Sequence, residues 1–350
     1  MKKQLIWLLL GLTAGLFGQR AAAQSVVAQA DFETRFDNRE YTGNAFGESL
    51  TVFGLRLAPE AGVEWAGRNR LMAGVSLQHD FGSKGRFLDT ADALIYYQFA
   101  APHVSVDAGL FPRSKMLGRY SEAFFDEAVS FYHSRMQGLL VNWHRDNDYA
   151  EFVIDWEGFR TYEQREKFRI LSEGHWEGHR FFGGWSLMML HYAKTLNEEL
   201  DEGVVDNILV NPHAGIRFHA GVDWEVRVGY LQALQRDRRV KQGWLTPRGG
   251  ELHVRLSRWH FALDNRLYVG ENLLPLYELY GSGLYECSTF FGITGHVYNR
   301  TELAYNRTFF DDTLRLDAGF VFHYDGAGLG VQQLLKISVN LQKIWGGPKK

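Results

Sequence analysis

One cysteine, Cys287, and seven prolines are all that 350 residues contain of the residue types that staple or stiffen a chain. A single thiol closes no internal disulfide, so cross-links do not hold this fold. No segment carries 18 consecutive apolar residues, which excludes a membrane-spanning helix. Charge of one sign is missing too. With 38 basic and 41 acidic residues mixed along the chain, formal net charge −3, there is no basic footprint for nucleic acid. GAGLG (326–330) has no Lys-Ser or Lys-Thr after it, so it is no phosphate loop and reads as a tight turn. A propeller-type repeat and a Pro/Ser-rich linker are absent, which leaves one domain as the simplest organisation.

What the chain does have begins at its N-terminus. Lys2 and Lys3 precede an apolar stretch, LIWLLLGLTAGLF (5–17), and Ala21-Ala22-Ala23 supplies a small-residue cleavage site. That pattern predicts a signal peptide over 1–23 and a mature domain over 24–350. Removing Lys2, Lys3 and Arg20 takes the formal charge from −3 to −6. An anchor helix is the alternative, but the apolar stretch falls short of the ~20 residues a span needs. Gln24 stands where a lipoprotein would carry cysteine.

From residue 28 onward the signal is a period of two. In LRLDAGFVFHY (314–324) one register is greasy and the other holds Arg315, Asp317, Gly319 and His323. Such alternation is a β-strand between two solvents. Sixteen strands are expected, at about 28–37, 48–65, 70–82, 91–100, 103–113, 136–143, 149–158, 167–177, 180–192, 207–218, 222–232, 249–257, 260–269, 296–308, 313–324 and 331–342, with ends uncertain by roughly 2–4 residues. Connections alternate between short ones, such as 101–102 and 258–259, and long ones, such as 113–135 and 270–295. Aromatics mark the strand ends: Trp65, Phe99, Trp143, Phe218 and Trp224 at one side, Phe36, Phe81, Trp156, Tyr230, Phe322 and Tyr324 at the other. Ala73, Val75, Val226, Ile337 and Val339 lie between. An all-β, single-chain antiparallel barrel in the bacterial outer membrane explains the strand length, the even count, the loop asymmetry and the two aromatic girdles. A secreted sandwich or propeller, the alternative, has no reason to sort aromatics by depth.

GLFPR (109–113), AFFDEAVSFY (123–132), GLLVNW (138–143), DYAEFVIDWEG (148–158) and REKFRILSEG (165–174) resemble an uncharacterised, porin-like family of outer-membrane barrels in Bacteroidota. The resemblance covers roughly the central fifth of the chain. It implies a barrel, an outer-membrane location and a porin-like role, and it implies no substrate and no catalytic residues.

Parity assigns Asp107, Glu151, Asp155, Asp223, Glu225, Arg227, Glu251, Arg255, Asp264, Arg266, Glu302, Arg315 and Asp317 to the inner face, as pore-lining residues. So many charges need water or ion-pair partners, and a barrel of this strand number leaves an aqueous channel unless a loop plugs it. The loop 113–135 is the expected constriction. Phe124, Phe125, Val129, Phe131 and Tyr132 suit burial, while Glu122, Asp126 and Glu127 would stand opposite lumen arginines. The loop 270–295 is rich in Tyr and Leu, which suits packing against other loops better than a sugar-binding surface. Cys287 reads as a small buried hydrophobe.

These features lead to an expectation of a porin-like channel for passive diffusion of small hydrophilic solutes, with outer-membrane lipid around it. It is expected to be no enzyme and to need no cofactor and no metal. His175, His179 and His191 lack a metal-site spacing. A non-conducting barrel whose outer loops bind a ligand or envelope partner is the runner-up, and the sequence leaves a homotrimer open. A lipid hydrolase is the enzymatic alternative. His79 shares the outward register of Leu77 and Phe81, but the neighbouring Ser76 points inward.

Overall fold

The computed structural model describes residues 24–41, 48–240, 243–292 and 296–345. The expected leader, 1–23, and the last five residues lie outside them. Sixteen antiparallel strands close into a barrel, each hydrogen-bonded to its sequence neighbours, with β16 (Leu329–Trp345) returning to β1 (Ser25–Glu40). The others are β2 (Leu50–Trp65), β3 (Asn69–Asp80), β4 (Thr90–Ala100), β5 (Val104–Pro112), β6 (Arg135–Arg145), β7 (Asp148–Gly158), β8 (Lys167–Glu177), β9 (Phe181–Tyr192), β10 (Val205–Ala220), β11 (Val222–Asp237), β12 (Arg248–Arg258), β13 (Phe261–Gly270), β14 (Val297–Phe309) and β15 (Leu314–Tyr324). Every expected strand is present. Closure leaves no unpaired edge, which backbone in hydrocarbon requires.

Side-chain sorting follows the pleat. On β15, Leu314, Leu316, Phe320, Phe322 and Tyr324 point away from the axis, while Arg315, Asp317 and His323 point in. Partners across each ladder keep that parity: Asp317 faces Asn306 and Lys336, and Phe322 faces Thr301 and Val331. Pro59 and Pro212 lie on the outward faces of β2 and β10, and the β2–β3 and β10–β11 ladders are interrupted beside them, because proline has no N–H to give. On the inner face, Gly109 and Gly138 stand opposite each other with φ of 122° and 150°, a region that side-chain-bearing residues rarely adopt.

The interior is not an open bore. Inward Leu140, Val153, Leu171 and Leu190 expose none of their surface, because the loop residues 113–134 and 271–292 fold back into the barrel and pack on that wall. Phe124 and Phe131 of the first loop and Leu284, Phe290 and Phe291 of the second are buried with them. Fully burying a side chain of that size contributes about 1.5–3 kcal/mol, which is why so apolar a loop leaves water. Phe290 stacks on His323 and Tyr298 with ring centroids 4.5 and 5.0 Å away, and Phe291 meets Tyr268 edge-on. The Tyr- and Leu-rich loop therefore packs inward, against the barrel wall as well as against the neighbouring loop. Cys287 is buried among these residues.

Candidate functional site

Two sites emerge, one inside the barrel and one on its outer wall. Inside, the two loops are joined by main-chain hydrogen bonds, Asp126 N–H to Glu286 O at 2.6 Å and Ser288 N–H to Glu122 O at 2.9 Å. The doubled strap is tied to the wall on both sides. Toward β7 and β8, the Glu151 carboxylate accepts the N–H groups of Leu117 and Gly118, and Arg169 reaches Glu286 at 2.6 Å. Toward β1, β13 and β14, Glu122 lies 3.0 Å from Arg266 and 3.1 Å from Arg300, and Glu127 lies 3.2 Å from Arg300 and 3.5 Å from Arg35.

Charge thus faces charge across the lumen, loop carboxylates against wall guanidiniums. Glu122, Asp126 and Glu127 line both an outer cavity of about 870 Å³ and a second one of about 410 Å³ that reaches Arg266, Arg300 and Glu302. A third cavity, about 540 Å³, lies toward β3–β8 and is lined by Asp92, Arg113, His133, Arg135, Asp155 and Glu286 among others.

The thirteen residues named from the sequence lie on the inner face of their strands, most of them in ion pairs. Asp264 is the hub of one group, contacting His253 at 2.8 Å, Arg266 at 3.1 Å and Arg255 at 3.2 Å. Asp107 meets Lys115 at 3.2 Å, Asp155 meets Arg113 at 3.7 Å, Glu302 meets Arg300 at 2.7 Å and Arg315 meets Asp317 at 2.8 Å. Glu225 pairs with Arg217 and Asp223 with His219, both at 2.8 Å. Glu251 accepts from Asn211, and Arg227 stands opposite His253 and Gly215 on the neighbouring strands. Four partners that complete the arrangement, Arg35, Arg169, Glu286 and Arg300, were not singled out. Arg35, Arg169 and Arg300 carry the same inward parity, which was the available signal. Glu286 sits in a loop, where no period exists.

The second site faces outward where β3 meets β4. His79 and Asp89 come together there, Nδ1 to Oδ2 at 3.2 Å, a contact whose angle falls short of a hydrogen bond. Asp89 also accepts the Asp80 N–H at 2.7 Å and the Ser83 hydroxyl at 3.1 Å. The Asp80 N–H, foremost, holds the Asp89 carboxyl below the usual carboxylate range. Phe36, Phe53 and Phe81 form an edge-to-face chain beside the pair, at the outer aromatic girdle. Lys84 and Arg86 lie in the adjoining turn, followed by Phe87, which is 91% exposed. Ser76 is turned inward against the Ser134 hydroxyl at 3.0 Å and takes no part. Among the described residues no group of three or more His, Cys, Asp or Glu side chains is placed to hold a metal ion.

A closed 16-strand barrel, greasy outside, charged inside and ringed by aromatics, is a protein of the bacterial outer membrane. Its fold is shared with the Pseudomonas aeruginosa outer membrane protein OprD, at TM-score 0.51 and 10% identity over 91% of this chain and 94% of that one. Pseudomonas aeruginosa OpdO gives 0.51 and 9%, over 91% and 97%. At that identity the likeness is one of architecture. The chain belongs to the lipid A 3′-O-deacylase-type family, whose model matches residues 19–341. No curated protein matches it. Membership in a deacylase-type family overturns the expectation that the chain is no enzyme. The sequence reading had reached His79 but looked for a serine beside it. The acid that pairs with His79 comes from ten residues away and only through the β3–β4 pairing.

Proposed function

We propose that this chain hydrolyses an ester-linked acyl chain of lipid A on its outer wall, with His79 as general base and Asp89 orienting it. The carrying observation is the His79–Asp89 pair, set in the lipid-facing register at the outer girdle of a chain in a deacylase-type family. Asp89, kept ionised, lies 3.2 Å from His79 Nδ1, and closing that contact into a hydrogen bond on substrate binding would orient the ring and leave Nε2 to take a proton from water. The serine at the pair, Ser83, donates its hydroxyl to Asp89 rather than to His79, so the nucleophile in this reading is water. It adds to the ester carbonyl, the carbon–oxygen bond to the sugar breaks, and the proton held on Nε2 passes to the departing sugar oxygen. A fatty acid and a free hydroxyl result. Lys84 and Arg86 would meet the anionic headgroup and Phe87 the acyl chains. The test is mass spectrometry of hexa-acylated lipid A incubated with the folded barrel in mixed micelles. Loss of one acyl chain is expected, and His79→Asn should lower the rate ~10²-fold or more. Intact lipid A after incubation with folded wild-type protein would sink the reading.

A second reading concerns the lumen, and one observation favours it. Glu122, Asp126 and Glu127 form a partition only one loop thick between the outer and inner cavities, facing Arg35, Arg266 and Arg300. In this reading the barrel passes small hydrophilic solutes, 113–135 is the constriction, and the thirteen inward residues named above line the path. The transverse field would favour dipolar solutes over greasy ones. Planar-bilayer recording decides it: stepwise conductance is expected, enlarged when 121–128 is replaced by a Gly-Ser linker. A silent, folded barrel rules it out. The readings use opposite faces of one wall, so neither experiment bears on the other.

A further inference from the structure

The row of side chains that the loop 113–134 covers on β6 to β9 forms a site that neither reading assigns. We infer that Glu151 and Glu173, with Asn142 beside them, bind a divalent metal ion of calcium's size. Asn142, Glu151, Glu173 and Ser186 are successive cross-strand partners on four neighbouring strands, and each exposes 2–3% of its surface. The two carboxylates are therefore neighbours out of water. Among the described residues neither has a cation within ion-pair distance: Arg227 of β11 and Arg119 of the loop face this group, and both stop short of it. Two desolvated carboxylates side by side are costly unless something positive comes with them.

Two orphaned oxygens point to the occupant. Glu173 Oε2 and Asn142 Oδ1 are buried without a hydrogen-bond partner, whereas a buried polar atom is ordinarily satisfied. The other oxygens are held in place. The Tyr149 hydroxyl donates to Glu173 Oε1 at 2.9 Å, the Tyr120 hydroxyl donates to Glu151 Oε1 at 3.2 Å, and the Leu117 and Gly118 N–H groups donate to Glu151 Oε2. Both carboxylates converge on Gly118. A Cβ there would lie 2.6 Å from Glu151 Oε1, 2.8 Å from Glu173 Oε2 and 2.6 Å from the Tyr120 ring. Only glycine lets the loop lie this close, and one small ion on the carboxylate side of it reaches both acids.

The donor set selects the ion. Two carboxylates and an amide oxygen are hard ligands with two negative charges, which suits a divalent cation completed by water. Calcium accepts irregular sets of oxygens, whereas magnesium demands a near-ideal octahedron that side chains fixed to three adjacent strands do not offer. The cavity of about 410 Å³ is lined by Gly118, Arg119 and Tyr120 and gives the ion a way in. Once bound, the ion would rivet this stretch of the loop to β7 and β8.

Isothermal titration of the refolded, lipopolysaccharide-free barrel with calcium chloride in a zwitterionic detergent tests this. A single tight calcium should bind, magnesium should bind at least ~10-fold more weakly, and sodium at equal ionic strength should be silent. Glu173→Gln keeps the shape and removes one charge, and should weaken calcium ~10-fold or more. Gly118→Ala drives a methyl group against both carboxylates and should weaken it as well. That change lies in the loop, outside the strands, so it decides the matter if Glu173→Gln does not fold, and the heat-modifiable band on electrophoresis shows whether each barrel is closed. A folded wild-type barrel that binds no calcium would mean that a proton relieves the pair. Calcium binding unchanged in the folded variants would put the ion on other carboxylates. Either result overturns the inference. Binding is read without acyl release or conductance, so its failure leaves both functional readings standing.

Discussion

Arg300 of β14 faces two carboxylates of a single loop at once, its Nε 3.1 Å from Glu122 and its Nη2 3.2 Å from Glu127. A third, Glu302, takes its Nη1 at 2.7 Å. The guanidinium is 3% exposed, so the three acids share one desolvated cation. Removing it strands charge: Glu122 keeps Arg266 and Glu127 keeps Arg35, but Glu302 loses its partner. Arg300→Met should destabilise the barrel by about 3–5 kcal/mol. The heat-modifiable band on electrophoresis, followed against temperature, measures it. An unchanged transition would mean that water already screens the group.

On the outer surface the same logic runs the other way. Asn265, Asn299 and Thr301 point toward lipid and bond to one another: Asn265 donates to Asn299 at 3.2 Å and to Thr301 at 2.7 Å, and Asn299 donates back at 3.2 Å and to the Arg266 carbonyl at 3.3 Å. Every amide proton is used, which is how a polar island survives among Leu263, Leu267 and Phe322. Asn265→Ala should cost about 1–3 kcal/mol by leaving Asn299 unmatched. Replacing all three, by Leu, Leu and Val, should be close to neutral. Urea unfolding of the single and triple variants in one detergent compares them, and a triple variant weaker than the single would refute the account.

That island also explains what the sequence hid. Period-two alternation made all sixteen strands legible, and a one-residue slip in any strand would have turned the inward residues of that strand to lipid. Where the outward face is itself polar, as at Asn299-Arg300-Thr301-Glu302, alternation goes blank and Arg300 has no contrast with its neighbours. The end of β11 ran past the expected 232 to Asp237 because the strand continues beyond the apolar belt, where nothing enforces greasy alternation. The burial of 113–135 was legible from its phenylalanines. Its docking onto 271–292 was not, since main-chain pairing such as Asp126 with Glu286 leaves no trace in side-chain pattern. His79 was visible and Asp89 was not, because cross-strand neighbours are set by the turn between them.

The connection between β9 and β10 carries a pH-sensitive clasp. Burial opposes ionisation of Glu202, yet the Thr195 N–H and hydroxyl, each at 2.8 Å, outweigh it and hold the carboxyl below its ordinary value. A depressed carboxylate stabilises the fold above its unfolded pKa and loses that contribution as pH falls through the folded one. Protease cleavage within 193–204 should therefore be slow at pH 7 and rise below about pH 4, the ordinary glutamate range. Glu202→Gln should cleave fast at pH 7 already. Equal cleavage of variant and wild type at neutral pH would remove the clasp from the account.

Cys287 reports on the strap inside the barrel. Burial pushes its thiol up to about 12, so at pH 8 almost none is thiolate and a maleimide should react over hours or longer. Its neighbour Glu286 anchors the strap through Arg169 at 2.6 Å, His133 at 3.4 Å and Lys167 at 3.5 Å. Glu286→Ala removes those contacts and leaves Arg169, 1% exposed, without its nearest carboxylate. The segment 271–292 should then leave the wall intermittently, and labelling of Cys287 should quicken ~10-fold or more while the strands stay closed, since the exchange-competent state is a local opening. Far-ultraviolet circular dichroism on the same samples checks closure. Fast labelling of the wild type would show that the loop is not docked, and slow labelling of the variant would show that apolar packing around Phe290 and Phe291 holds it without the ion pairs.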